Sequence, residues 1–127
     1  MKGLVFAGMI VLASSAGAWA QDVAAGETSF KKCLPCHRIG EGAKNLVGPE
    51  LNGLEGRKSG SAEGYSYTEA NKNSGITWDE AQFKDYITNP RTKIPGTKMV
   101  FAGISSDNER NNLWAYLKQF DATGKKK

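Results

Sequence analysis

Two thiols and an imidazole stand together in the run Cys33-Leu34-Pro35-Cys36-His37. Thiols at this spacing can form a redox pair, hold zinc, or add to the two vinyl groups of haem. An adjacent histidine then reaches the haem iron from below. The chain has two cysteines and one histidine in all, so a four-ligand zinc site would need carboxylates to complete it. A thioredoxin-like pair calls for a strand–helix–strand context that this pattern does not offer. A disulfide here would close a very small loop, staple little and leave His37 unexplained. Covalent haem attachment uses all three residues.

A second axial ligand must then come from elsewhere, and His37 leaves no second imidazole. Met1 and Met9 fall in an apolar leader, which makes Met99, 62 residues after His37, the remaining methionine. A lone methionine is commonly core filler. Met99, however, closes the irregular, rigid segment Ile94-Pro95-Gly96-Thr97-Lys98-Met99, a poor place for filler. A thioether is also a soft ligand suited to iron at high potential.

The elements that must position these groups are mostly helical. Lys2 and the apolar run Gly3 to Leu12 precede Ala18-Trp19-Ala20, the pattern of an export signal cleaved after Ala20. An uncleaved anchor is the rival, but Gly8, Ser14, Ser15 and Gly17 dilute the run. Cleavage leaves one domain, residues 21–127, and lowers the formal charge from +4 to +3. Asp22 to Lys32 reads as a helix, and Thr68 to Asn73 as a short one. Thr77-Trp78-Asp79-Glu80 predicts a capping box with Thr77 at the cap, opening a helix that carries Phe83, Tyr86 and Ile87 and stops before Pro90. Ser106-Asp107-Asn108-Glu109 opens the last helix, with Leu113, Tyr116, Leu117 and Phe120 on one stripe. Gly124 ends it, and Lys125-Lys126-Lys127 reads as a frayed tail. No stretch alternates as a strand does. From Arg38 to Ser66 the chain is glycine-rich and unpatterned, which in a compact domain implies a loop wrapped around something. A chain with 39% hydrophobic residues and 15 glycines is no coiled coil or multi-span membrane protein, and it is lean enough to need a cofactor in its core.

Three segments carry a family resemblance. Asn89-Pro90 with Ile94 to Ile104 resembles the methionine loop of class I cytochromes c. Gly53 to Gly60 and Tyr67 to Trp78 match the same family. The likeness runs from about Gly26 to Leu117 and extends to both the mitochondrial form and the short periplasmic cytochrome c2 group of bacteria. It implies an all-α fold of helices and long loops around one covalently bound haem c, attached through Cys33 and Cys36 and ligated by His37 and Met99. The resemblance also implies that the Pro49 carbonyl accepts a hydrogen bond from His37. Arg57, Tyr67, Asn71 and Trp78 then hold the haem propionates, and Tyr86 and Thr97 place hydroxyls near the methionine sulfur and inner propionate. Gly26, Phe30 and Tyr116 match the contact of first and last helices. One departure is that Phe30 stands three residues before Cys33, one fewer than in the mitochondrial form, so a tighter turn is expected there.

By the same resemblance this is a monomeric electron-transfer protein of the periplasm and not an enzyme. Its expected donor is a quinol–cytochrome c reductase (the bc complex), and its acceptor a terminal oxidase or a photosynthetic reaction centre. Lys31, Lys32, Lys44, Arg91, Lys93 and Lys98 are the expected docking cations, steering rapid, salt-sensitive encounter. Ser105 and Ser106 stand where mitochondrial relatives tend to carry lysines, which weakens that basic face. Nucleic-acid binding is not favoured, nor is stable membrane insertion after cleavage. The rivals are an enzyme or gas sensor with a loose Met99 and open iron, and a zinc module, which the ligand count opposes.

Overall fold

The computed structural model describes residues 3, 5, 8, 10 and 21–127. The expected cleavage site at Ala18-Trp19-Ala20 and most of the leader lie outside the described residues. Five helices follow in order: α1 (Val23–Phe30), α2 (Glu69–Lys72), α3 (Glu80–Thr88), α4 (Pro90–Lys93) and α5 (Asp107–Leu117). Among the described residues the only extended pairings are two isolated bridges, Lys58 with Thr77 and Phe120 with Lys126. None of the described helices is long and apolar enough to cross a membrane.

Side chains supply the helix starts. Asp22 accepts from the Ala25 amide at 3.0 Å, and Ser106 accepts from the Glu109 amide at 3.2 Å. Both bonds satisfy a donor that has no intrahelical partner. The expected cap of α3 is corrected. Asp79, not Thr77, caps it, accepting from the Gln82 amide at 2.8 Å. Thr77 bridges to Lys58, and the Trp78 amide donates to the Arg57 carbonyl, so both residues are held in a pairing before the helix can begin. Helix α4 had no counterpart in the sequence reading. Asn89 caps it and Pro90 occupies its first turn, where a missing N–H costs nothing.

Helices α1 and α5 cross closely because position 26 is glycine. A Cβ there would lie 2.0 Å from the Asn112 carbonyl oxygen and 2.9 Å from Tyr116 Cβ. Phe30 and Tyr116 pack at 5.4 Å between ring centroids, and Ser29 and Lys32 both bond Glu109 across the same contact. Leu113 and Trp114 are the most deeply buried side chains of α5, and Phe83 of α3 lies against Trp114 at 5.2 Å. After α1 the chain continues in tight turns. The Lys32 and Cys33 amides donate three residues back to Ser29 and Phe30, and the His37 backbone amide donates to the Cys33 carbonyl at 2.8 Å. That turn delivers Cys33, Cys36 and His37 to one wall of the interior.

The tail is also corrected. Asp121 to Lys127 folds back on the end of α5. The Asp121 amide donates to the Lys125 carbonyl at 2.8 Å, and Lys127 donates to the Gln119 carbonyl at 2.7 Å. It is ordered because Asp121 Oδ1 accepts from the Thr123 and Lys125 amides, an arrangement that charge and periodicity do not reveal.

Candidate functional site

The helices and loops line a mainly apolar cavity of about 340 Å³. Cys33, Cys36 and His37 line one side of the sequence-defined site, and Met99 joins them from the loop between α4 and α5. Every other cofactor residue expected from the sequence also borders it: Pro49, Arg57, Tyr67, Asn71, Trp78, Tyr86 and Thr97. Phe83 and Ile87 of α3 and Leu113 and Leu117 of α5 make the apolar wall. Part of the hydrophobic core thus faces this space, while Phe30, Tyr116, Phe120 and Trp114 pack on other side chains.

His37 is 9% exposed. Its Nδ1 lies 2.7 Å from the Pro49 carbonyl oxygen. A carbonyl only accepts, so Nδ1 carries the proton and Nε2 keeps a lone pair for a metal. Burial pushes the imidazole pKa down from its ordinary value, the Pro49 bond pulls partly the other way, and Arg57 adds to the lowering. The ring is therefore neutral and able to ligate. Gly48 makes room for it, since a Cβ at that position would meet His37 Cε1 at 2.3 Å. Gly48 was missed in the sequence, although its place directly before Pro49 in the loop facing His37 was the available signal.

The two cysteines are free thiols. Burial pushes Cys33 up to about 11, with Lys32 acting in the opposite direction. Both remain available for thioether bonds. No cluster of three or more metal-binding His, Cys, Asp or Glu residues occurs among the described residues, which leaves the zinc reading without a donor set.

Around the far rim, Tyr86 Oη and Thr97 Oγ1 lie 3.1 Å apart, and the Met99 amide donates to the same Thr97 oxygen at 3.3 Å. This ties α3 to the methionine loop. Burial raises the Tyr86 pKa, partly offset by bonds to Thr97 and Asn71, so its hydroxyl keeps its proton. The Trp78 and Tyr86 rings pack at 5.1 Å. Arg57 is half-buried and donates to the Glu50 carboxylate at 3.2 Å and to the Asn52 and Glu50 carbonyls at 3.0 and 2.9 Å. Glu50, absent from the sequence expectations, balances that guanidinium inside the protein. Tyr67 accepts from the Ala62 amide at 2.9 Å, which anchors its ring at the cavity edge.

The expected docking cations are spread more widely. Lys32 and Lys98 border the cavity. Lys32 is paired with Glu109, while Lys98 donates to the Ser66 carbonyl and sits 4.4 Å over the Tyr65 ring. Lys93 is paired with Asp85 at 2.8 Å. Lys44 borders a separate polar cleft with Glu50 and Glu63. Lys31 and Arg91 are exposed outside the cavity lining.

The space, its two thiols, a neutral buried imidazole and a thioether fit one covalently held haem. Comparisons with known proteins agree. The Cytochrome c family profile matches residues 23–121. A cytochrome c2 of Rhodoplanes tepidamans is 69% identical over 107 residues, 84% of this chain and all of the relative. Over 127 residues, the full length of both chains, a cytochrome c2 of Blastochloris viridis is 58% identical. The solved structure of cytochrome cH from Methylobacterium extorquens is 46% identical, with a TM-score of 0.72 over 77% of this chain and 98% of that one. Motif, fold and relatives converge: the chain belongs to the cytochrome c family of electron-transfer proteins that carry covalent haem c.

Proposed function

We propose that this chain, freed of residues 1–20, is a monomeric one-electron shuttle of the periplasm, taking electrons from a quinol–cytochrome c reductase. It would pass them to a terminal oxidase or a photosynthetic reaction centre. The observation that carries the reading is one cavity bordered by Cys33, Cys36, His37 and Met99 together. Haem iron supplies the Fe(III)/Fe(II) couple when bound.

The chain's own residues do the rest. Cys33 and Cys36 would anchor the ring covalently. His37 would hold the iron through Nε2 while its Nδ1–H donates to the Pro49 carbonyl, a bond that fixes the imidazole and strengthens it as a donor. Met99 would hold the iron through its sulfur, its backbone tied to Thr97 and through it to Tyr86. Arg57, Tyr67, Asn71 and Trp78 provide the cation and donors that buried propionates require. With His37 and Met99 both holding the iron, the haem group would supply one-electron transfer rather than binding of oxygen or peroxide. Lys31, Lys32, Lys44, Arg91, Lys93 and Lys98 bias encounter toward acidic partners.

The visible spectrum of the reduced protein, before and after carbon monoxide, tests this. Sharp low-spin bands indifferent to the gas are the expected result. A shift on adding the gas would mean a labile sixth ligand and would favour an enzyme or sensor instead.

A further inference from the structure

The ordered tail touches the segment that carries Pro49. Gly124 is buried between exposed neighbours and has a φ of +85°, and a Cβ there would lie 2.2 Å from the carbonyl carbon and oxygen of Gly40. The tail's shape at this contact depends on one carboxylate. Asp121 Oδ1 accepts from the Thr123 amide at 2.8 Å, the Thr123 hydroxyl at 2.6 Å and the Lys125 amide at 3.1 Å. A second touch lies nearby, where the Gly53 amide donates to the Phe120 carbonyl at 3.2 Å.

Gly40 and Asn52 close the base of the loop between His37 and Gly53. Asn52, 7% exposed, accepts from the Gly40 amide at 2.8 Å and donates to the Gly40 carbonyl at 2.9 Å. One residue further in, the Leu51 amide donates to the Arg38 carbonyl at 3.0 Å. Two residues beyond that stands Pro49, whose carbonyl takes the His37 proton. The tail therefore presses on the clamp from outside, while the His37–Pro49 bond lies inside it.

We propose that the C-terminal turn, keyed by Asp121 and seated on Gly40 through Gly124, is a positioning element for the His37–Pro49 hydrogen bond and so adjusts imidazole donation to the iron. The proposal rests on His37 being the axial ligand. A carbonyl held firmly against Nδ1–H makes the imidazole the stronger donor and favours Fe(III). Loosening the clamp weakens that bond and moves the midpoint potential up. Asp121, Gly124 and Asn52 do not border the cavity, so their route to His37 runs through these side-chain and backbone hydrogen bonds.

The test uses the haem-loaded protein with Asp121→Ala, Asp121→Asn and Gly124→Ala. Asp121→Asn retains a side-chain oxygen acceptor and is expected to match the parent. Asp121→Ala should speed exchange of the His37 Nδ1 proton, read by proton NMR, by about tenfold as the clamp opens locally. It should also raise the midpoint potential, and Gly124→Ala should do the same wherever it folds. A lowered melting temperature in Asp121→Ala with unchanged potential and exchange would make the tail a purely structural brace and overturn the proposal. Should the parent itself show no axial histidine signals, the ligation reading fails first, and this proposal falls with it.

Discussion

Gly48 faces His37 so closely that the imidazole occupies the volume a side chain would take, with Cε1, Nδ1 and Nε2 at 2.3, 2.7 and 2.8 Å from a Cβ placed there. The backbone around it is tied down, since the Gly48 amide donates to the Cys36 carbonyl at 2.8 Å. Neither side can retreat without breaking a hydrogen bond. Gly48→Ala is therefore expected to displace the ring, break the Pro49 bond and cost about 1–3 kcal/mol in overpacking. Thermal unfolding and the fraction of exported protein with covalent haem check both effects.

Gly26→Ala strikes a different contact with the same logic. The added methyl would meet the Asn112 carbonyl, which belongs to helix backbone and cannot rotate away. Helices α1 and α5 must separate, at a cost of about 1–3 kcal/mol. The visible spectrum should change little, because position 26 is outside the cavity lining. Denaturant unfolding followed by far-UV circular dichroism measures the loss.

Met99→Ala leaves Cys33, Cys36 and His37 untouched, so haem attachment should survive. Removing the soft sulfur ligand favours Fe(III) and should lower the midpoint potential. The reduced iron should then bind carbon monoxide. An unchanged potential would mean that another group is the sixth ligand.

Acid should loosen the α1–α5 contact through Glu109. Bonds from Lys32 and then Ser29 hold its carboxyl below the ordinary value of 4.5. With the folded pKa depressed, this contribution is fully present above 4.5 and is lost as pH falls through the lowered folded value. Glu109→Gln should be less stable than the parent at neutral pH, and the gap should close progressively below 4.5. Melting temperatures of the two proteins across that range decide it, and a gap independent of pH would count against the Lys32–Glu109–Ser29 tie.

Local signals carried far in this chain, but they failed where a distant segment claimed the backbone first. The Ser106 cap and the stop before Pro90 were legible because side chain and target amide lie within one turn. Thr77 looked like an equally good cap. It lost that role because Lys58 and Arg57, some twenty residues earlier, pair with Thr77 and Trp78. The lysine tail looked frayed on charge alone, while its order comes from Asp121 within the turn and from Gly40 more than eighty residues away. Likewise, nothing near Arg57 in sequence announced that Glu50 would balance it.

The chemistry is written in residue types and their spacing. A chain with one histidine, a cysteine pair immediately before it and one methionine after residue 20 leaves few ways to hold haem, and the spacing of those residues is covalent information. How the groups are tuned depends on the folded chain. It set which carbonyl takes the His37 proton, which hydroxyl steadies the methionine loop, and which lysines are already paired. Those outcomes depend on separations of a few tenths of an ångström between segments distant in the chain. Hydrogen bonds and close packing select such distances, and no periodicity or motif encodes them.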